Sequence, residues 1–228
     1  RLILLIARCT RERVRCFNLA LSCSLVFAFL SWSLFVGVML RARRRTRPHC
    51  GEVLVLGCEG SGKTLLCRQL ERWCSSAAAA TAQAIDSKTV PSVGVELLEL
   101  LHGNRRFSVR EVGGVMQPVW YRYFEGCSAV VFVADSSSAA AASSASIEWY
   151  NLLAARALRG TPTLLLLNKR DHPTALPQPT LQLLLRTPEC ELHMRGLPVA
   201  MLSISALTGE GMGSFLEWIG GALSRASA

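Results

Sequence analysis

Gly57–Thr64, GCEGSGKT, follows the apolar run EVLVLG (52–57) and precedes a stretch, residues 63–74, in which Leu65, Leu66 and Leu70 recur at helical spacing. The octet matches G-x-x-x-x-G-K-[ST] in the context that gives it meaning, a strand before it and a helix after it. Gly57, Gly60 and Gly62 let backbone N–H groups close on phosphate oxygens, and a helix N-terminus adds positive potential there. Lys63 is placed for β- and γ-phosphates, and the Thr64 hydroxyl for Mg²⁺. The octet alone leaves open whether the base is adenine or guanine.

Outward from this loop the chain alternates short apolar runs with helical stretches. VGVELLELL (93–101) and RFSVREV (106–112) read as two adjacent strands, SAVVFVAD (128–135), TPTLLLLN (161–168) and LPVAMLSIS (197–205) as three more. Residues 144–158, 179–186 and 211–225 read as helices, and the Ala/Ser-rich stretch 75–84 as a helix tail or loop. Strands alternating with helices predict an α/β fold, a mostly parallel sheet covered on both faces, with ligands beyond the carboxyl ends of its strands.

Two further motifs fall at that edge. NKRD, Asn168–Asp171, ends an apolar strand. Guanine offers N1–H and an exocyclic amine side by side, and one carboxylate accepts both; adenine has no such pair. Asp171 is therefore the base discriminator, because a site built for a polar partner rejects its absence. Asn168 faces the other base edge and braces the loops, and the Lys169 stem covers the ring. SAL, Ser205–Leu207, follows the last strand, where the Ala206 N–H can reach guanine O6. In DSKTVPSVG (86–94) a hydroxyl, Thr89 or Ser92, can complete Mg²⁺ coordination.

Charge is distributed unevenly. The chain of 228 residues carries a formal net charge of +9. Ten arginines stand against Glu12 in the first fifty residues, and the remaining fifteen basic and fifteen acidic residues cancel. The excess thus belongs to the N-terminal segment, which argues against a basic nucleic-acid face on the main domain. Within that segment residues 16–40 are uncharged and flanked by arginines. As a helix they would extend about 37 Å, enough for a hydrocarbon core of about 30 Å. A transmembrane helix at 16–40 within an extension over 1–48 is one reading; translated flanking sequence is the other, since the chain starts at Arg1. Nucleotide is cytosolic, so the domain over 49–228 is expected in the cytoplasm. Nine scattered cysteines make no C-x-x-C pair, against a zinc site or a disulfide framework.

In order, GCEGSGKT, TVPSVG, REVGG, NKRD and SAL resemble the small GTPases, and the loops TVPSVG and GGVMQPVWYRYF resemble the ADP-ribosylation-factor-like branch. The resemblance covers about residues 50–226. A second, to the β-subunit of the signal recognition particle receptor, would suit the 16–40 segment, but that family's D-x-P-G loop does not fit EVGG. The first resemblance implies a P-loop small-GTPase fold with a six-stranded sheet and five helices, GTP/GDP and Mg²⁺ as ligands, and protein effectors and an exchange factor that read the switch loops in membrane or ciliary traffic. By position it implies phosphate contacts from Gly57, Glu59, Gly60, Gly62, Lys63, Thr64 and Gly114. It likewise implies guanine contacts from Asn168, Lys169, Asp171, Ser205 and Ala206, and Mg²⁺ contacts from Thr64, Ser92 and Glu111. Val95, Trp120 and Tyr123 fall on its effector surface, with core packing as the competing role.

Two departures bear on catalysis. Glu111 stands where the family has aspartate, which moves the carboxylate by about 1.5 Å, one C–C bond. Mg²⁺ demands near-octahedral geometry, so the site is expected to weaken. Val115 stands where the family has the glutamine that orients the attacking water, and valine has neither donor nor acceptor. Two readings follow: a switch that hydrolyses GTP slowly, with help from a residue such as Gln117, or a GTP-binding interaction module that does not hydrolyse it.

Overall fold

Six strands and four α-helices make up the described part of the chain. The structure, a computed structural model, describes residues 49–75, 92, 94–186 and 199–226. The strands are β1 (His49–Leu56), β2 (Val95–His102), β3 (Arg105–Val112), β4 (Ala129–Asp135), β5 (Thr163–Asn168) and β6 (Val199–Ser203). The helices are α1 (Lys63–Cys74), α2 (Ala139–Ala154), α3 (Gln178–Leu184) and α4 (Met212–Ala226), and Gly114–Tyr123 winds as 3₁₀ turns. The sheet order is β2-β3-β1-β4-β5-β6, parallel except for the β2–β3 pair. The six-stranded, mostly parallel sheet is as expected. The fifth helix expected is not among the described residues. The extension over 1–48 with its 16–40 segment, residues 76–84 and Thr89 also lie outside them. Among the described residues no helix is long and apolar enough to cross a membrane.

Period-2 geometry divides the core in two. Val53, Val55, Val109, Val131, Val133, Leu164 and Leu166 point to one face, where Leu66 and Leu70 of α1 and Phe215 and Ile219 of α4 cover them. Leu54, Leu56, Val130, Phe132, Leu165 and Leu167 point to the other, under Trp149 and Leu152 of α2 and Leu181 of α3. Every residue of β5 is buried, which is why TLLLLN reads as a continuous run without alternation.

α2 starts five residues before the expected 144. Ser138 caps it, its hydroxyl accepting from Ala141 N–H at 3.1 Å, and the alanines behind the cap favour helix. It also stops short of 158, because Ala155 turns extended and Arg156–Leu158 forms a separate 3₁₀ turn.

Phe132, fully buried, packs edge-on against Trp120 (centroids 6.3 Å apart) and against Trp149 at 5.6 Å. It joins the sheet to both the 3₁₀ segment and α2. Phe132→Ala is expected to cost about 3–5 kcal/mol, seen as a lower urea midpoint at unchanged slope.

Candidate functional site

The carboxyl ends of β1, β3, β4 and β5 carry the loops that the motifs occupy. After β1 the chain turns sharply through Gly57–Gly62. A Cβ at Gly57 would meet the Val133 carbonyl oxygen at 2.3 Å, and one at Gly62, where φ is 90°, would meet Asn168 Nδ2 at 2.4 Å. Only glycine lets the loop pass so close. The Lys63 ammonium folds back under the loop and donates to the Gly57 and Cys58 carbonyls, 2.9 Å each. Burial lowers its pKa, and the nearby Glu111 carboxylate is the first of the charges that counter this. A buried ammonium held by neutral carbonyls is poised for stronger, anionic oxygen acceptors. Glu59 and Gly60 lie exposed at the crest. Gly114 is pressed on that crest: a Cβ there would stand 2.4 Å from Glu59 N.

Thr64, Ser92 and Glu111 come from three separate segments and meet. The Thr64 hydroxyl donates to Glu111 Oε1 at 2.6 Å and lies 3.0 Å from the Ser92 hydroxyl. Glu111 is 2% exposed, and its Oε2 has no hydrogen-bond partner among the described residues. A buried carboxylate oxygen without a donor carries a desolvation cost that a cation would offset. The donors are all hard oxygens, the set Mg²⁺ takes alongside phosphate and water. The residues present therefore fit Mg²⁺. The longer Glu111 side chain bonds the Thr64 hydroxyl directly.

At the far end Asn168, 1% exposed, joins three loops. Its Nδ2 donates to the Ser61 carbonyl at 2.9 Å, and its Oδ1 accepts from Ala206 N–H at 3.0 Å. Ser205 is buried, and its hydroxyl donates to Asp171 Oδ1 while accepting from Thr208 N–H at 3.0 Å. Asp171 itself is exposed, its carboxylate oriented by Ser205. Lys169 takes a left-handed φ of 64° and pairs with Asp135 Oδ2 at 2.7 Å. Burial pushes the Asp135 carboxyl up, but bonds from Lys169 and Ser137 outweigh it and hold its pKa below the ordinary value. Asp135 thus positions Lys169, a role not foreseen. Its signal was the lone acid that ends the apolar run AVVFVA.

The switch side holds two corrections. Trp120, expected on an effector surface, is 4% exposed: its ring packs on Phe132 and its Nε1–H donates to the Gly113 carbonyl at 3.2 Å. Its size and apolar ring make core packing the better use, so the competing role holds. Gln117, considered as a substitute near the attacking water, donates to Glu148 of α2 at 2.6 Å and is committed there. Val95 is exposed, and Tyr123 is half-buried beneath the Arg110 guanidinium at 5.8 Å. Val115 is 52% exposed and presents only an apolar side chain.

The family model described as ADP-ribosylation factor family matches residues 39–223. ADP-ribosylation factor-like protein 16 of Homo sapiens is 31% identical over 169 residues, which cover 74% of this chain and 84% of that protein. ADP-ribosylation factor 1 of Brassica rapa subsp. pekinensis is 29% identical over 178 residues, 77% of this chain and 89% of that protein. Among solved structures, the Arl6 BBS3 small GTPase from Trypanosoma brucei with bound nucleotide analogue GppNp superposes with a TM-score of 0.63 at 23% identity, covering 77% of this chain and 98% of that one.

Asn168→Ala would strand the Ser61 carbonyl and the Ala206 N–H in a buried place. At about 1–3 kcal/mol per unsatisfied group, the substitution is expected to cost about 2–6 kcal/mol in chemical denaturation without added nucleotide.

Proposed function

This chain belongs to the ADP-ribosylation factor family, and from that premise we propose that it is a guanine-nucleotide-binding switch with slow or absent intrinsic GTP hydrolysis. The observation that carries the reading is the Asn168 bridge, which ties the phosphate loop, the NKRD loop and the Ser205–Ala206 turn into one unit. In this reading Gly57, Glu59, Gly60, Gly62, Lys63, Thr64 and Gly114 surround the phosphates. Asp171 accepts from guanine, Ala206 N–H and Asn168 serve its other edge, and the Lys169 stem lies on the ring.

Thr64, Ser92 and Glu111 would hold Mg²⁺, which when bound neutralises charge on the β- and γ-phosphate oxygens. Ser92 and Gly114 come from the two segments that would respond to the γ-phosphate. Gly113 couples these segments: its N–H donates to the Gly94 carbonyl at 3.0 Å, and a Cβ on it would meet the Ser92 carbonyl oxygen at 2.1 Å. A third phosphate drawing on Gly114 therefore draws on Ser92 as well.

Hydrolysis is the weak part. Phosphoryl transfer depends on positioning the nucleophile; Val115 has no group to orient water, and the Gln117 amide donates to Glu148. We further propose that residues 49–228 are the nucleotide-binding domain and face the cytoplasm, that residues 16–40 attach it to a membrane, and that effectors and an exchange factor act through Val95, Tyr123 and the switch segments in membrane or ciliary traffic. Family membership supports the last of these.

Fluorescent GDP and GTP binding tests the reading: Lys63→Ala and Asp171→Ala are expected to lose binding, and retained affinity in both would overturn it. In single-turnover assays the parent is expected to give a flat or very slow trace. Val115→Gln is expected to raise the rate about tenfold or more.

A further inference from the structure

Glu96 of β2 stands directly opposite Glu111 of β3 in the antiparallel register. Residues so paired share a face, with Cβ atoms about 5 Å apart, and like charges there are unfavourable. The same face runs on through Leu98 opposite Val109 and Leu100 opposite Phe107, apolar pairs packed with α1. The two carboxylates therefore end an apolar ladder, one buried and one at the rim. The Cys67 thiol of α1 lies beside them; burial raises its pKa strongly, and the charges of Glu111 and Glu96 add to this.

Among the described residues no ion pair takes in Glu96 or Glu111. Ion pairs among the described residues include Arg106 with Glu99, Arg110 with Glu52 and Lys169 with Asp135. Lys63, whose charge couples to Glu111, has its ammonium on the Gly57 and Cys58 carbonyls. In front of the pair a cavity of about 310 Å³ is lined by Ser92, Gly94, Val95, Glu96 and Glu111. The unpartnered, buried Oε2 belongs to Glu111 in this lining.

We propose that Glu96 is a second carboxylate ligand at this cavity, so that Glu96, Glu111 and the Ser92 hydroxyl hold a divalent cation before nucleotide binds. The inference rests on the reading of Thr64, Ser92 and Glu111 as the cation end of the nucleotide site, and it adds order to it. A Mg²⁺ site with one carboxylate leans on phosphate for the rest of its charge; a second carboxylate makes the cation less dependent on phosphate. The cation then bridges β2 to β3 and the Thr64 end of α1, and removes the like-charge penalty of the Glu96–Glu111 row.

The test uses the full chain stripped of nucleotide, with Mn²⁺ as the probe, followed by electron paramagnetic resonance. The parent is expected to bind one Mn²⁺, and Glu96→Gln to bind it about tenfold or more weakly. Glu99→Gln, on the opposite face of the same strand, is expected to match the parent. Equal affinity in the parent and Glu96→Gln, or no Mn²⁺ bound by the stripped parent, overturns the proposal. Thermal melts establish that each chain is folded; if stripped chains melt early, the comparison is made with GDP bound, where equal Mn²⁺ affinities again overturn it. Fluorescent GDP affinity on the same preparations separates this failure from failure of the switch reading, since Glu96 is not placed on phosphate or base.

Discussion

The Asn168 amide is the contact on which the site depends. It is buried, lies at the end of β5, and uses a donor towards the Ser61 carbonyl and an acceptor towards the Ala206 N–H. No other side chain of that size and neutral charge offers both: aspartate lacks the donor, and leucine lacks both. The loops it joins lie 107 and 38 residues away along the chain. Their closure entropy is met by the sheet, which sets the ends of β1, β4, β5 and β6 side by side. The parallel strands are thus what makes a one-residue clasp feasible.

The switch side is held by a different kind of contact. Trp120 is wedged against Phe132 and tied to the Gly113 carbonyl, and Gln117 is tied to Glu148. Between these anchors Val115 and Tyr121 stay exposed. The 3₁₀ segment therefore has a fixed base and a free crest. A segment built this way suits the reporting of a ligand better than the shaping of a transition state.

Most of the architecture was legible in the sequence, and the reasons are local. β1, β4 and β5 are continuous apolar runs bounded by Gly57, Asp135 and Asn168, and the phosphate loop carries its own strand-and-helix context. The helix starts were less legible. The Ser138 cap sits in a run of serines, SSS at 136–138, and sequence alone does not say which hydroxyl turns inward to the backbone. Tertiary choices were the least legible. Trp120 and Gln117 occupy a switch loop in sequence but are used by the core and by α2, because a large ring gains more from burial than from exposure and Glu148 offers Gln117 a partner. The Asp135–Lys169 pair joins the end of β4 to the NKRD loop, and on the β4 side only the lone acid after an apolar run marked it.

Glu111 shows how one substitution has consequences beyond its own position. An aspartate at this strand end would leave room before the Thr64 hydroxyl; the longer side chain fills that room and bonds the hydroxyl directly. Its second oxygen is then left buried and without a partner among the described residues, and Glu111 lines a cavity together with Glu96. With Glu96 as the proposed further ligand, the cation site would be more anionic than one with a single carboxylate. Such a site would hold its ion by its own charge more than through the γ-phosphate, while Val115 has no group to aim water at that phosphate. On these proposals both changes would act in one direction, towards keeping the ligand rather than hydrolysing it. A switch so altered would be reset by exchange of nucleotide more than by its hydrolysis, and the residence time of the nucleotide, set at the Asn168 clasp and at the cation, would determine how long it signals.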